Sequence, residues 1–139
     1  MVDSHWRVTP MFFEKLIPLA RRIAAIAFWP ALALVIWGEL TSHGLPVETH
    51  VWDKLLHFTA YFGLALIAAF AIRTPRAMIV TVLALIVLGG VLEIAQGMLG
   101  RDADVNDEIA NAVGSVLGAL AGLALMTLHA RLVARASHP

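Results

Sequence analysis

An all-α, integral membrane four-helix bundle with an N-terminal interfacial segment is the fold class this sequence predicts, and three observations predict it. The chain is 60% hydrophobic and only 14% charged, with a mean hydropathy of +0.81; ordinary soluble domains run nearer half and a quarter. Four apolar runs approach the roughly 20 residues that a helix needs to cross a bilayer, and no alternating strand pattern interrupts them. Basic residues collect in alternate connections, the asymmetry that orients membrane helices. A single membrane domain, 1–139, follows, with spans near 23–40, 54–72, 77–99 and 108–129. The absence of cysteine excludes disulfides, thiolate metal sites and a Cys nucleophile, but names no compartment.

Residues 1–22 mix Trp6, Phe12, Phe13, Leu16 and Ile17 with Arg7, Lys15, Arg21 and Arg22, the composition of a segment lying in the membrane interface. The apolar run that follows is long for a signal peptide and no A-x-A pattern closes it, so it is kept as the first span. Pro30 lies inside this span, where neighbouring helices can satisfy the carbonyl it frees. A loop with His43 and His50 comes next, both read as solvated polar residues. Asp53 suits the N-cap of the second span, accepting from free backbone N–H groups at the positive end of the dipole. His57 and Tyr61 follow at four-residue steps and share its face. A tight basic turn at 73–76 leads to the third span, polar only near its end. An acid-rich turn at 101–108 precedes the fourth.

Short-loop charges give the orientation. Arg7, Lys15, Arg21, Arg22, Arg73, Arg76, Arg131 and Arg135 lie on one side with two acids; Lys54 and Arg101 lie on the other with eight. Both termini are therefore expected in the cytoplasm, and a bacterial inner membrane is the simplest location. The second and fourth spans then begin at the outer face and the third ends there. At about 1.5 Å per residue, His57 sits roughly 6 Å and Tyr61 roughly 12 Å below Asp53, Glu93 roughly 9 Å before its helix ends, and Asn111 roughly 6 Å below Asp107. Three helices thus send His57, Tyr61, Glu93, Gln96, Asp107 and Asn111 into one leaflet. Ionisable groups at such depth are costly to keep and are functional candidates. Gly114, Gly118 and Gly122 recur every four residues on the face of Asp107 and Asn111, the small-residue pattern that lets helices approach closely. Ser115 beside them reads as packing.

These residues resemble the VanZ-like membrane proteins. The match consists of Asp53-Lys54-x-x-His57-x-x-x-Tyr61, then Glu93-x-x-Gln96, then Arg101 with Asp107, Asn111 and Gly114, and it covers the second to fourth spans. The founding members are associated with glycopeptide (teicoplanin) resistance, so the resemblance implies a cell-envelope role. Asp102, Asp104 and Glu108 are additional to the pattern, and the first span carries no motif.

His57, Glu93 and Asp107 are the candidate catalytic residues; Asp53, Lys54, Tyr61, Gln96, Arg101 and Asn111 are the candidate ligand-binding ones. Crowded acids and burial favour a protonated Glu93, which would act as a general acid with His57 as base; the other reading is that Glu93 pairs with Arg101 or His57 and braces the helices. His57, Glu93, Asp107 and Asp53 are an acceptable donor set for a divalent metal, yet no compact motif such as H-E-x-x-H appears, and no cofactor is expected. Helix N-termini with Lys54 or Arg101 could hold an anion, against an outer site whose six acids outnumber its two bases. Three functions stay open: an enzyme acting on a lipid-linked envelope precursor, a protein that binds or translocates such a lipid, and a scaffold in a homo-oligomer or envelope complex. Basic residues form a membrane flank rather than a nucleic-acid surface.

Overall fold

A computed structural model describes residues 9–41, 50–100 and 103–137, and every element among them is a helix: α1 (Thr9–Thr41), α2 (His50–Ala71), α3 (Pro75–Met98) and α4 (Val105–Ser137). Each contains a stretch long and apolar enough to cross a membrane, at Ile17–Thr41, Trp52–Ala71, Pro75–Met98 and Val105–Arg135. The protein is a multi-pass helical membrane protein.

Local chemistry sets the helix ends. Thr74 caps α3, its hydroxyl accepting from Ala77 N–H, and Pro75 opens the first turn, where its missing N–H costs nothing. Beyond the other end Gly100 takes φ +81°, a left-handed turn that only glycine adopts without strain. Asp104 caps α4: its Oδ1 accepts from the Asn106 N–H at 2.9 Å. Thr81 and Thr127 return their hydroxyls to carbonyls four residues back, so neither carries an open donor into hydrocarbon.

Two details differ from the sequence reading. The helix of the first span begins at Thr9, well before residue 23, and passes through Pro18 and Pro30 without interruption, so the expected interfacial residues from 9 onward are continuous with α1; residues 1–8 lie outside the described part. Proline removes one donor each time, but the aliphatic turns on both sides favour continuing the helix. Asp53 is in the first turn of α2 rather than at its cap, because the helix starts at His50. Its carboxylate still meets the positive end of the dipole.

The core runs along α2 through Tyr61, Leu64, Ala65, Ala68 and Ala69, closed by Met78 and Leu85 of α3 and Ala119 of α4. Helix α2 packs most extensively on α4 and next on α1. Leu34, Ile79, Val80, Val87 and Leu120 point outward, as lipid-facing side chains do. Lipid chains are as apolar as leucine, so close backbone packing, not exclusion from water, must hold the helices together. The glycine ladder provides it. A Cβ on Gly114 would collide with the Phe58 carbonyl and one on Gly118 with the Phe62 carbonyl, which leaves α2 and α4 in backbone contact.

Candidate functional site

The tight α2–α4 pair decides which polar groups meet. Asp107, Asn111, Gly114, Ser115 and Gly118 share the buried face of α4, so packing on the glycines presses Asp107 and Asn111 against α2 where Asp53, Lys54, His57 and Tyr61 line up. Helix α3 brings Glu93 and Gln96 to the same end. His57, Glu93, Gln96, Asp107 and Asn111 are all buried there.

His57 is the hub. Its Nδ1 lies 3.1 Å from Asn111 Oδ1. The Asn111 amide is oriented by its own nitrogen, which donates to Glu108 Oε2 at 3.4 Å, so its oxygen faces the ring and Nδ1 must carry the proton. Glu39 Oε1 lies 3.6 Å from the same nitrogen. In the neutral ring Nε2 is then a bare lone pair, 4.0 Å from Asp53 Oδ1 and 3.9 Å from Glu93 Oε1.

Glu93 has two different oxygens. Oε2 accepts the backbone N–H of Asp104 at 3.2 Å, satisfying the donor of the very residue that caps α4. Oε1 is buried without a hydrogen-bond partner among the described residues. A bracing oxygen and one without a partner among the described residues therefore coexist in one carboxyl group. Gln96 Nε2 donates to the Glu39 backbone carbonyl at 3.1 Å; in the last turn of α1 that carbonyl has no helical partner. Gln96 thus ties the end of α3 to the end of α1. Lys54 Nζ bridges Asp104 Oδ2 at 2.7 Å and Asp107 Oδ1 at 3.2 Å, fixing the start of α2 to the start of α4. The Lys54 ammonium, then the Asn106 N–H, hold the Asp104 carboxyl down to about 2 from an ordinary 3.8.

Every described candidate converges on this end of the bundle. Arg101 lies outside the described residues, as do His43 and Asp102. Sequence reasoning missed Glu39 as a member of the site. Its side chain is only 10% exposed and lies against the Tyr61 hydroxyl. The available signal was depth: Glu39 is a lone acid in the last turns of an otherwise apolar span, level with Asp53 across the loop.

A cavity of ≈280 Å³ opens on this cluster, lined by the polar Glu39, Asp53, His57 and Gln96 and by the apolar Val35, Leu56 and Ala60. Its lining comes from α1, α2 and α3, so α1 contributes both an acid and an apolar flank. Such a cavity accommodates a molecule with a polar end and an apolar body.

No curated protein and no solved structure matches the chain. A family model described as VanZ/LLP1 matches residues 5–127, a stretch that takes in the whole of α2 and α3, the site turn of α4 and the glycine ladder. Four membrane-spanning helices that meet around His57, Glu93, Asp107 and Asn111 are thus matched almost end to end, and the chain belongs to the VanZ/LLP1 family.

Proposed function

We propose that this protein binds the polar head group of a lipid-linked cell-envelope component at the outer face of the bacterial inner membrane, with His57, Glu93 and Asp107 as the residues that act on it: His57 lines the cavity, Glu93 Oε1 stands 3.9 Å from its Nε2, and an oxygen of Asp107 lies within 4.8 Å of the ring. The observation that carries the reading is the ≈280 Å³ cavity, whose lining combines four polar residues with apolar ones. A head group would meet Glu39, Asp53, His57 and Gln96 while its acyl or prenyl chain lies along Val35, Leu56 and Ala60. Asn111 holds the His57 ring, Lys54 holds Asp107, and Tyr61 backs Glu39. The charge asymmetry of the sequence supports cytoplasmic termini and a periplasm-facing site. Resistance to glycopeptides such as teicoplanin is the phenotype this reading connects to.

A scaffold whose glycines await a partner is disfavoured, since Gly114, Gly118 and Gly122 are spent on α2 within the chain. Binding of a polyprenyl-linked disaccharide to the protein in lipid nanodiscs, with divalent cations present, tests the proposal. His57→Gln is expected to weaken it tenfold or more, while His129→Ala, far along α4, leaves it intact. Equal binding by wild type and His57→Gln overturns the reading. Glu93→Gln separates action from binding: turnover lost with binding kept marks an enzyme, and equal loss of both marks a binder or translocator.

A further inference from the structure

The site contains a gap that its own hydrogen bonds do not fill. Three acceptors converge on it: the bare Nε2 of His57, Asp53 Oδ1 at 4.0 Å and Glu93 Oε1 at 3.9 Å. Those separations exceed any hydrogen bond, so a proton on the ring or on a carboxyl group would not join them. Glu93 Oε1 is the independent sign that something belongs there. Its side chain is 8% exposed and this oxygen has no hydrogen-bond partner among the described residues, although a buried carboxylate oxygen without one is expensive. From α4, Asp107 adds a donor: one donor atom each of Asp53, His57 and Asp107 lie within 4.8 Å of one another.

We propose that Asp53, His57 and Asp107 bind one divalent transition-metal ion, zinc or manganese, beside Glu93 Oε1. Imidazole and carboxylate donors suit these ions. Ligands about 2.0–2.2 Å from a common ion stand about 3 to 4 Å apart, the spacing seen between Nε2 and the two carboxylate oxygens. The remaining contacts complete the arrangement. The Nδ1–H bond to Asn111 fixes the ring with Nε2 toward the ion, the role an outer partner plays for a metal-bound histidine. Lys54 takes Asp104 and one oxygen of Asp107, so it orients Asp107 and leaves that carboxylate a second oxygen to offer. Asp53, 42% exposed, gives an ion access from the cavity.

The inference rests on the proposed head-group site and deepens it: the ion is the group through which these residues meet the head group. It also answers the charge problem, because a cation in an acid-rich cavity admits a phosphate that the carboxylates alone would repel.

The test uses the full chain in detergent, stripped with a chelator and titrated calorimetrically with zinc or manganese chloride, no lipid probe being added. One ion per chain is expected. Asp53→Asn and His57→Gln should each weaken binding tenfold or more, and His129→Ala should not. Asp53→Asn changes a half-exposed group, so it reports on the ion even if His57→Gln fails to fold, which circular dichroism checks. Cobalt added to the stripped protein should give visible absorption bands that both substitutions remove. No bound ion, or an ion held equally well by Asp53→Asn, overturns the inference. Ion binding without probe binding sinks only the proposed function; probe binding without an ion sinks only this one.

Discussion

Asp104 does two jobs at one atom pair each: Oδ1 caps α4 through Asn106 N–H and Oδ2 receives Lys54. Its carboxyl is held down to about 2 from 3.8, first by Lys54 and then by Asn106. A depressed folded value means that the charged form stabilises the fold above the unfolded value and that this contribution disappears as pH falls through the folded one. Asp104→Asn keeps a good capping side chain and loses the charge. Thermal melts in detergent should therefore show wild type more stable than Asp104→Asn at neutral pH, with the difference shrinking as pH drops from about 4 to about 2. A difference that does not change with pH would remove the ion pair from the account. Most of the site was legible residue by residue, because His57, Glu93, Asp107 and Asn111 stand at helical spacing inside apolar runs and have no cheap reason to be there. Glu39 was not, since an acid close to a tryptophan reads as interfacial, and only the packing of α1 on α2 and α3 turns it inward. The split role of Glu93 was also hidden: a sequence gives no sign that one oxygen would cap the next helix and leave the other bare.

The element that makes the site is the α2–α4 pair, and its glycines can be tested apart from the polar residues. A methyl group at Gly118 meets the Phe62 carbonyl, a backbone atom that cannot rotate away, whereas one at Gly63 meets nothing within 4 Å. Gly118→Ala should therefore force the helices apart and cost about 1–3 kcal/mol, the usual scale of overpacking. Gly63→Ala should be neutral or stabilising by up to about 1 kcal/mol, since alanine is the better helix former. Melting temperatures followed by tryptophan fluorescence read both changes; comparable losses at the two positions would mean that the ladder does not carry the packing. Because Gly118 lies two turns below Asn111 on the same face, Gly118→Ala should also loosen probe binding without altering any polar group. The repeat at 114, 118 and 122 announced this contact, as it needs only the spacing of small residues. The continuity of α1 from Thr9 was not announced: basic and aromatic residues beside Pro18 look like an interfacial segment, while helix α1 runs on through both prolines.

Across the whole molecule, charge rather than packing fixes which way the site faces. Four spans place both ends of the chain on one side, and the site lies at the opposite end of the bundle, where α1 and α3 finish and α2 and α4 begin. Eight of the ten Lys and Arg residues flank the termini and the α2–α3 turn. Of the other two, Lys54 is tied to two carboxylates at the site. Retention of positive charge on the cytoplasmic side then predicts an outward site. Reporters fused after residue 74 and after the C-terminus should be active as cytoplasmic fluorescent proteins and silent as periplasmic phosphatases, and a phosphatase inserted between residues 42 and 49 should be active. Replacing Arg73 and Arg76 with glutamate removes the positive charge of the α2–α3 turn and should produce a mixed population of the two orientations. The same reversal would put the polar cavity on the cytoplasmic side, so probe binding at the periplasmic face should fall in proportion to the inverted fraction. If the orientation is mixed while periplasmic binding stays whole, the site is reached from the other face, and the link between this cluster and the cell envelope is lost.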